Sequence, residues 1–460
     1  METEKLSLRQ LLAILSAGLF SFCGVLIETA TNITFPTLMN EFNISTSTVQ
    51  WMTTGNLLML GILIPISSFL KRRFQLKKIF LVAGILFSIG LIVDIFAFNF
   101  TLLLCGRLIQ GAGVGIALPM MYNIILEESP KRLLGLMMGC GSFVTAAAPA
   151  IGPTFGGVIT QYLNWRFIFV CVLPIIIVAM IIGCFCMKNT EIDNQEQMDM
   201  LGFVAISIAF IFIICGFSNL DKIIQNSIQV GLYFIVGFGA IIYFGYRQLI
   251  TKVPLIDFDI FKNKSFVFYT LAIMFLQMTT LGFGLLLPSF VQIVLKMSAT
   301  DAGIVLLPGA IIGAVISPFG GIMLDKFMAK IPIMLGVFCS FVATLFFVIL
   351  FRQLTYQMCM FLYFIYSLGI GLVVGNTMTV ALSQLSKKLQ ADGNATIQTL
   401  MQLSGGIGTS ICAAILSFLQ QGNNLVAGTK IGSLYVFIFL VITVLLVIGC
   451  QCIAFKGGKN

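Results

Sequence analysis

The chain has 460 residues, of which 59% are hydrophobic and 9% charged, against about 25% charged in a soluble domain. No water-soluble fold of that length hides so much apolar surface, and the even spread of 43 Phe excludes disorder and low-complexity repeats. The net charge of +9 is scattered through short polar gaps, which indicates contact with a lipid bilayer and no nucleic-acid partner. Runs of about 20 apolar residues, the length that crosses a bilayer as a helix, recur at 11–36, 48–70, 79–98, 101–124, 133–160, 167–187, 199–219, 228–246, 266–290, 302–323, 331–351, 356–384, 395–419 and 431–455. That makes fourteen expected spans. The N-terminus runs into the first of them without a small-residue cleavage site, so it reads as a retained span.

With the N-terminus in the cytoplasm, the loops on that side carry Arg9, Lys71, Arg72, Arg73, Lys77, Lys78, Lys131, Arg132, Arg247 and Lys262 among others. The opposite side carries Arg166, Lys222, Lys296, Arg352 and Lys430. This bias predicts a multi-pass protein with both termini cytoplasmic. The chain also repeats itself: Pro65, Arg73, Phe74 and Lys77 recur in the same order and spacing as Pro318, Lys326, Phe327 and Lys330, each time after the second span of a six-span block. Transporters are commonly built from such repeats, with the binding site between them. The expected organisation is a six-helix bundle over 1–187, a linker with spans 7 and 8 inserted over 188–265, and a second six-helix bundle over 266–460.

Span 1 contains Glu28-Thr29-Ala30-Thr31-Asn32-Ile33-Thr34-Phe35-Pro36 and span 4 contains Gly106-Arg107-Leu108-Ile109-Gln110-Gly111. Span 5 contains Pro149-Ala150-Ile151-Gly152-Pro153-Thr154-Phe155-Gly156-Gly157, with Asn164-Trp165-Arg166 beyond it, and the second half has Leu287-Pro288-Ser289 and Gly405-Gly406-Ile407-Gly408. Together these resemble the major facilitator superfamily and, within it, the fourteen-span drug:proton antiporters. The resemblance implies an all-α membrane fold of two six-helix bundles plus two extra helices, in a bacterial plasma membrane. It implies export of lipophilic small-molecule drugs, often cationic (dyes, quaternary ammonium biocides, fluoroquinolones), in exchange for protons, with the proton gradient as energy source and no cofactor. A monomer is expected. A narrower exporter, of lincosamide-type antibiotics or an endogenous metabolite, is the alternative within transporters. A membrane-embedded enzyme or receptor would need a nucleophile and base, a metal constellation, a P-loop or a soluble domain, and the sequence displays none of these.

Two departures from the family pattern stand out. The first-span acid is Glu28, one residue after the commonest position, which Ile27 occupies. The loop after span 2, where the family has Gly-x-Leu-x-Asp-Arg-x-Gly-Arg, has Ser68 and Gln75 for glycines and Arg72 for the aspartate, while the second copy keeps Asp325 beside Lys326. The implied cytoplasmic gate is therefore Arg72, Arg73, Asp325 and Lys326, with no acid in its first copy.

Within the spans, the ionisable Asp, Glu, Lys and Arg residues are Glu28, Asp94 and Arg107, all in the first bundle. Such groups cost several kcal/mol inside a membrane and mark function by default. Desolvation favours a neutral carboxyl and a nearby guanidinium an ionised one, so solvent access can switch Glu28 between the two. Glu28 is the expected proton-coupling site, with Arg107 acting by charge and Asp94, near the outer surface, as a second proton site or a structural carboxylate. Histidine is absent, so proton chemistry falls to carboxylates. Gly152, Pro153, Gly156 and Gly157 are expected to allow close helix approach during conformational change. Asn32, Gln277, Met278, Asn376 and Gln402, in a setting that includes Phe283 and Gln398, are the expected substrate contacts, since Met-rich walls repack around varied ligands. No metal site is expected: the 12 Cys lie within or at the ends of apolar runs.

Overall fold

The computed structural model describes residues 7–44, 46–49, 51–187, 199–220, 223, 226–251, 254–297, 299–421 and 424–457. These residues form helices and no strand, as a membrane demands when every backbone polar group must be satisfied within its own segment. In chain order the helices are α1 (Leu8–Ile33), α2 (Phe35–Phe42), α3 (Thr46–Val49), α4 (Trp51–Leu63), α5 (Ile66–Arg73), α6 (Leu76–Ile95), α7 (Phe100–Glu128), α8 (Leu134–Tyr162) and α9 (Phe167–Cys186). They continue as α10 (Met200–Ser218), α11 (Ser227–Ile250), α12 (Lys264–Ser289), α13 (Ala299–Ile304), α14 (Leu307–Lys326), α15 (Lys330–Ile349), α16 (Tyr356–Ser383), α17 (Gln390–Gln421) and α18 (Leu425–Gly457). Polar residues at the apolar boundaries set where several begin. Ser7 and Gln10 form a reciprocal capping box on α1, and Asn99, Asp199, Asn263 and Thr355 cap α7, α10, α12 and α16.

Two groups of contacts define the ends of the first bundle. At one end Arg9 Nε donates to Cys186 O and Gln10 Nε2 to the Glu128 carboxylate, which brings together the start of α1 and the ends of α7 and α9. At the other, Arg166 donates to Glu41 Oε1 and Ala97 O, the Trp165 indole N–H donates to Glu41 Oε2, and the Arg166 guanidinium stacks 4.1 Å from the Trp165 ring centroid. We call these the basic end and the far end.

Among the described residues, twelve helices are long and apolar enough to cross a membrane. The fourteen expected from sequence are not reached on that criterion, and the two stretches missing from it are spans 2 and 5. Span 2 is broken at Ile64–Pro65 into α4 and α5, of 13 and 8 residues, because proline has no N–H to continue the ladder and crowds the preceding turn. Span 5 is the 29-residue α8, rich in Gly, Ala and Thr.

The sequence repeat has a structural counterpart. Phe74 and Phe327 end α5 and α14 in the same extended conformation, each amide donating to the carbonyl four residues back. Pro318, the counterpart of Pro65, lies inside an unbroken helix. In the second bundle, Phe283, Phe347, Tyr366 and Phe437 form an aromatic core, with Phe347 stacked on Phe437 at 4.8 Å. Helices α10 and α11 pair with each other, and α10 also touches α4 and α17.

Candidate functional site: a buried charge cluster and the closed end

The three intramembrane charges come together. Helix α1 lies against α7 where Gly24 admits the Val114 side chain, and Glu28, one turn on, shares that face. Arg107 is two turns from Val114 on α7, toward the same end, and its charge acts on both Glu28 and Asp94. Among the described residues no hydrogen bond or ion pair joins Asp94 to Arg107 directly. Gln110 bridges them: Arg107 Nη1 donates to Gln110 Oε1 at 2.7 Å, and Gln110 Nε2 donates to Asp94 Oδ2 at 2.6 Å. Asp94, near the end of α6, is fully buried. Helix α7 covers its carboxyl from the side.

Gly106 makes this possible. A Cβ there would stand 1.9 Å from Asp94 Oδ1, so only glycine lets α6 and α7 approach with the acid between them. Asp94 Oδ1 and Arg107 Nε and Nη2 have no hydrogen-bond partner among the described residues. Buried charged atoms are normally satisfied, so two open donors and one open acceptor in one cluster mark it as a candidate site. Glu28 is partly exposed whereas Ile27 is fully buried; the shift of the acid by one position therefore leaves it the more accessible of the two.

The small residues of span 5 pack within their own bundle. A Cβ at Gly152 would meet Thr29 Oγ1 at 1.9 Å, and one at Gly156 would meet Ala30 O at 2.3 Å, so both face α1 beside Glu28. Gly157 is partly exposed. The contact of α8 with the second bundle lies nearer its start, where Gly135 and Gly139 meet Gly321 and Ser317 of α14 and Ser317 Oγ donates to Gly139 O. Close approach at Gly152 and Gly156 is thus to α1 of the same bundle, and at Gly135 and Gly139 to α14 of the other.

Of the expected substrate contacts, Gln277 and Met278 lie along the α12–α17 crossing, beside Gly405 and Gly408, and Gln402 is one turn from Gly405. All three are partly buried. Asn376 does not join them: it is buried, donates to its own helix at Leu372 O and faces Gly320 of α14. Phe283 belongs to the aromatic core. The side chains of Asn32 and Pro153 lie outside the described residues.

The gate residues gather at the basic end, in two symmetry-related contacts of opposite charge. In the second copy, Asp325 accepts from the backbone N–H of Gly135 and Leu136, 2.9 Å each, and so caps the start of α8 in the other bundle. In the first copy Arg72 stands where Asp325 stands in the second, and the acid has moved to the partner helix: Asp392, in the first turn of α17, pairs with Arg72 at 2.5 Å. The gate missing its acid in the sequence is thus complete with the charges exchanged. Arg73 ends α5 next to it, and Lys326 is exposed at the end of α14. Nearby, Asn394 Nδ2 donates to Asn123 Oδ1 and Pro119 O. Among the described residues, every hydrogen bond and ion pair joining the two bundles lies toward the basic end.

Two helical bundles closed at one end, with an intramembrane charge cluster in one of them, define a multi-pass membrane transporter. The sequence profile of the Major Facilitator Superfamily matches residues 17–409, and the chain belongs to that family. It is 35% identical over 413 residues to the lincomycin resistance protein LmrB of Bacillus subtilis, covering 89% of this chain and 86% of that protein. It is 26% identical over 442 residues to the multidrug resistance protein B homolog of Mycobacterium tuberculosis, covering 90% and 79%. Among solved structures, the human organic anion transporter MFSD10 superposes with a TM-score of 0.67 at 11% identity, over 95% of this chain and 99% of that one, a likeness of fold alone.

Proposed function

We propose that this chain is a proton-coupled drug efflux antiporter of a bacterial plasma membrane, working by alternating access. The observation that carries the reading is Glu28 beside Arg107, Gln110 and Asp94, where the buried charges of Arg107 and Asp94 are incompletely satisfied. With the far end open, Glu28 takes up a proton; with the basic end open it releases one, and its carboxylate attracts a cationic drug. Asp94, held through Gln110, competes with Glu28 for the single guanidinium of Arg107, which cannot itself give up a proton.

Fourteen spans belong to this reading. The chain leaves α1 at the far end, beside Glu41, and α6 runs toward that same end, beside Ala97, so α4 and α5 together must return it to the basic end. Helix α8 likewise runs from Glu128 at the basic end to Arg166 at the far end. The basic end is assigned to the cytoplasm by its Lys and Arg, and the proposed functional division is 1–187, 188–265 and 266–460. The substrate site is placed between the bundles, with Gln277, Met278 and Gln402 on the second and Glu28 on the first.

The likeness to lincomycin resistance proteins favours a second reading, a narrower exporter of lincosamide-type antibiotics. Transport by the purified protein in liposomes with an imposed pH gradient separates the two. Gradient-driven movement of ethidium and of a quaternary ammonium compound supports the broad exporter. Movement of lincomycin alone supports the narrow one, and no gradient-driven movement of any of the three sinks both.

A further inference from the structure

The inserted helix pair grips both bundles at two levels. Within the membrane, α10 lies across the seam: Phe210, Ile213 and Ile214 pack with Leu58 of α4 and Leu403 of α17. The fit against the first bundle is tight, for a Cβ at Gly61 would meet the Phe210 ring at 2.1 Å. At the basic end the same pair reaches the seam through a chain of hydrogen bonds. Asp199 caps α10 and accepts from Arg247 Nε and Gln248 Nε2 of α11, 3.1 Å each. Gln248 Oε1 accepts in turn from the backbone N–H of Leu255 and Ile256, at 2.6 and 3.3 Å. The segment so held lies directly on the gate: Arg72 Nη2 donates to Pro254 O at 3.3 Å, and the Asp257 N–H donates to Asp392 Oδ2 at 3.1 Å.

Arg72 belongs to the first bundle and Asp392 to the second. Each spends one polar group on the other and a further one on the strap 254–257, so strap and ion pair form one network, and separating the bundles breaks both. Gln248 is the pivot. It is buried, its amide is engaged at both ends, and it connects the strap to α10 through Asp199. Leu255, Ile256 and Ile260 anchor the strap by burying their side chains.

We infer that the pair α10–α11 is a latch on the basic end of the transporter, with Gln248 as the positioning residue that holds strap 254–257 across the Arg72–Asp392 pair. The bundles can part at this end only when the strap lifts from one of them. The inference rests on alternating access but not on proton coupling.

Hydrogen exchange by mass spectrometry on the full chain in lipid nanodiscs, without substrate or gradient, tests it; a failed assignment of Glu28 would leave that readout unchanged. In Gln248→Leu, amide exchange over 119–125 of α7 and 390–397 of α17 is expected to quicken at least tenfold. The far-end segments around Glu41 and Arg166 should stay as in the wild type or slow. Arg72→Lys, which keeps the charge and loses the forked reach to Pro254 O, should quicken the same two segments. Wild-type exchange at both segments in the two variants would overturn the inference. So would quickening spread evenly over both bundles, which marks loss of fold and not release of a latch.

Discussion

Gln110 carries more of the site than its neutral side chain advertises. Arg107 and Asp94 are both buried, and the amide offers each the polarity it needs, an acceptor to the guanidinium and a donor to the carboxylate. Leucine fills the same space and offers neither. Removing one partner from a buried charge network costs about 3 to 5 kcal/mol, so Gln110→Leu should lower the thermal unfolding midpoint in detergent and abolish efflux; an unchanged midpoint with normal efflux would show the network to be idle. Gly106→Ala is the steric counterpart. Its Cβ falls on Asp94 Oδ1, and overpacking of this kind costs about 1 to 3 kcal/mol. The variant should reach the membrane yet transport poorly, which western blotting and efflux assayed on the same cells would reveal. The sequence exposed Glu28, Asp94 and Arg107 because a charge among apolar residues is conspicuous. Gln110 stood in the same motif unremarked, since an uncharged amide gains its meaning only from the register of α6 against α7.

At the scale of elements, the two bundles meet through glycine seams and a few polar contacts at one end. Asn123 and Asn394 lie in such a contact, between α7 and α17. Cysteines at both positions should form a disulfide under mild oxidation that stops efflux, with recovery on reduction. Efflux that continues while mass spectrometry finds the cross-link formed would mean that this seam need not open. Here the sequence told less. Pro65 and Pro318 occupy equivalent places in the repeat, yet one breaks its helix and the other does not, because membrane helices tolerate proline where neighbours re-satisfy the backbone. Asn376 read as a cavity residue because a polar side chain in an apolar run looks the same whether it faces a ligand or a neighbouring helix. Asp392 had no signal at all: it lies among the polar residues of a helix start, and only the fold places it against Arg72.

For the whole molecule, a multi-pass membrane protein was legible in the length and recurrence of the apolar runs, and the family in the motifs of spans 1, 4 and 5. Orientation is a prediction at this scale. An alkaline phosphatase fusion made after Tyr162 or at Asn226, both at the far end of the proposed topology, should be active, and fusions after Ser129 or Gly457 inactive. The reverse pattern would invert the molecule, and equal activity at Ser129 and Tyr162 would remove α8 from the spans. The central claim is that a proton binding and leaving Glu28 drives export. Its most direct test is ethidium uptake into everted membrane vesicles energised by a pH gradient, with wild type and Glu28→Gln at matched expression. Glu28→Gln should lose gradient-driven uptake by at least tenfold while still exchanging ethidium across the membrane when no gradient is applied. Undiminished gradient-driven uptake in Glu28→Gln would contradict the account.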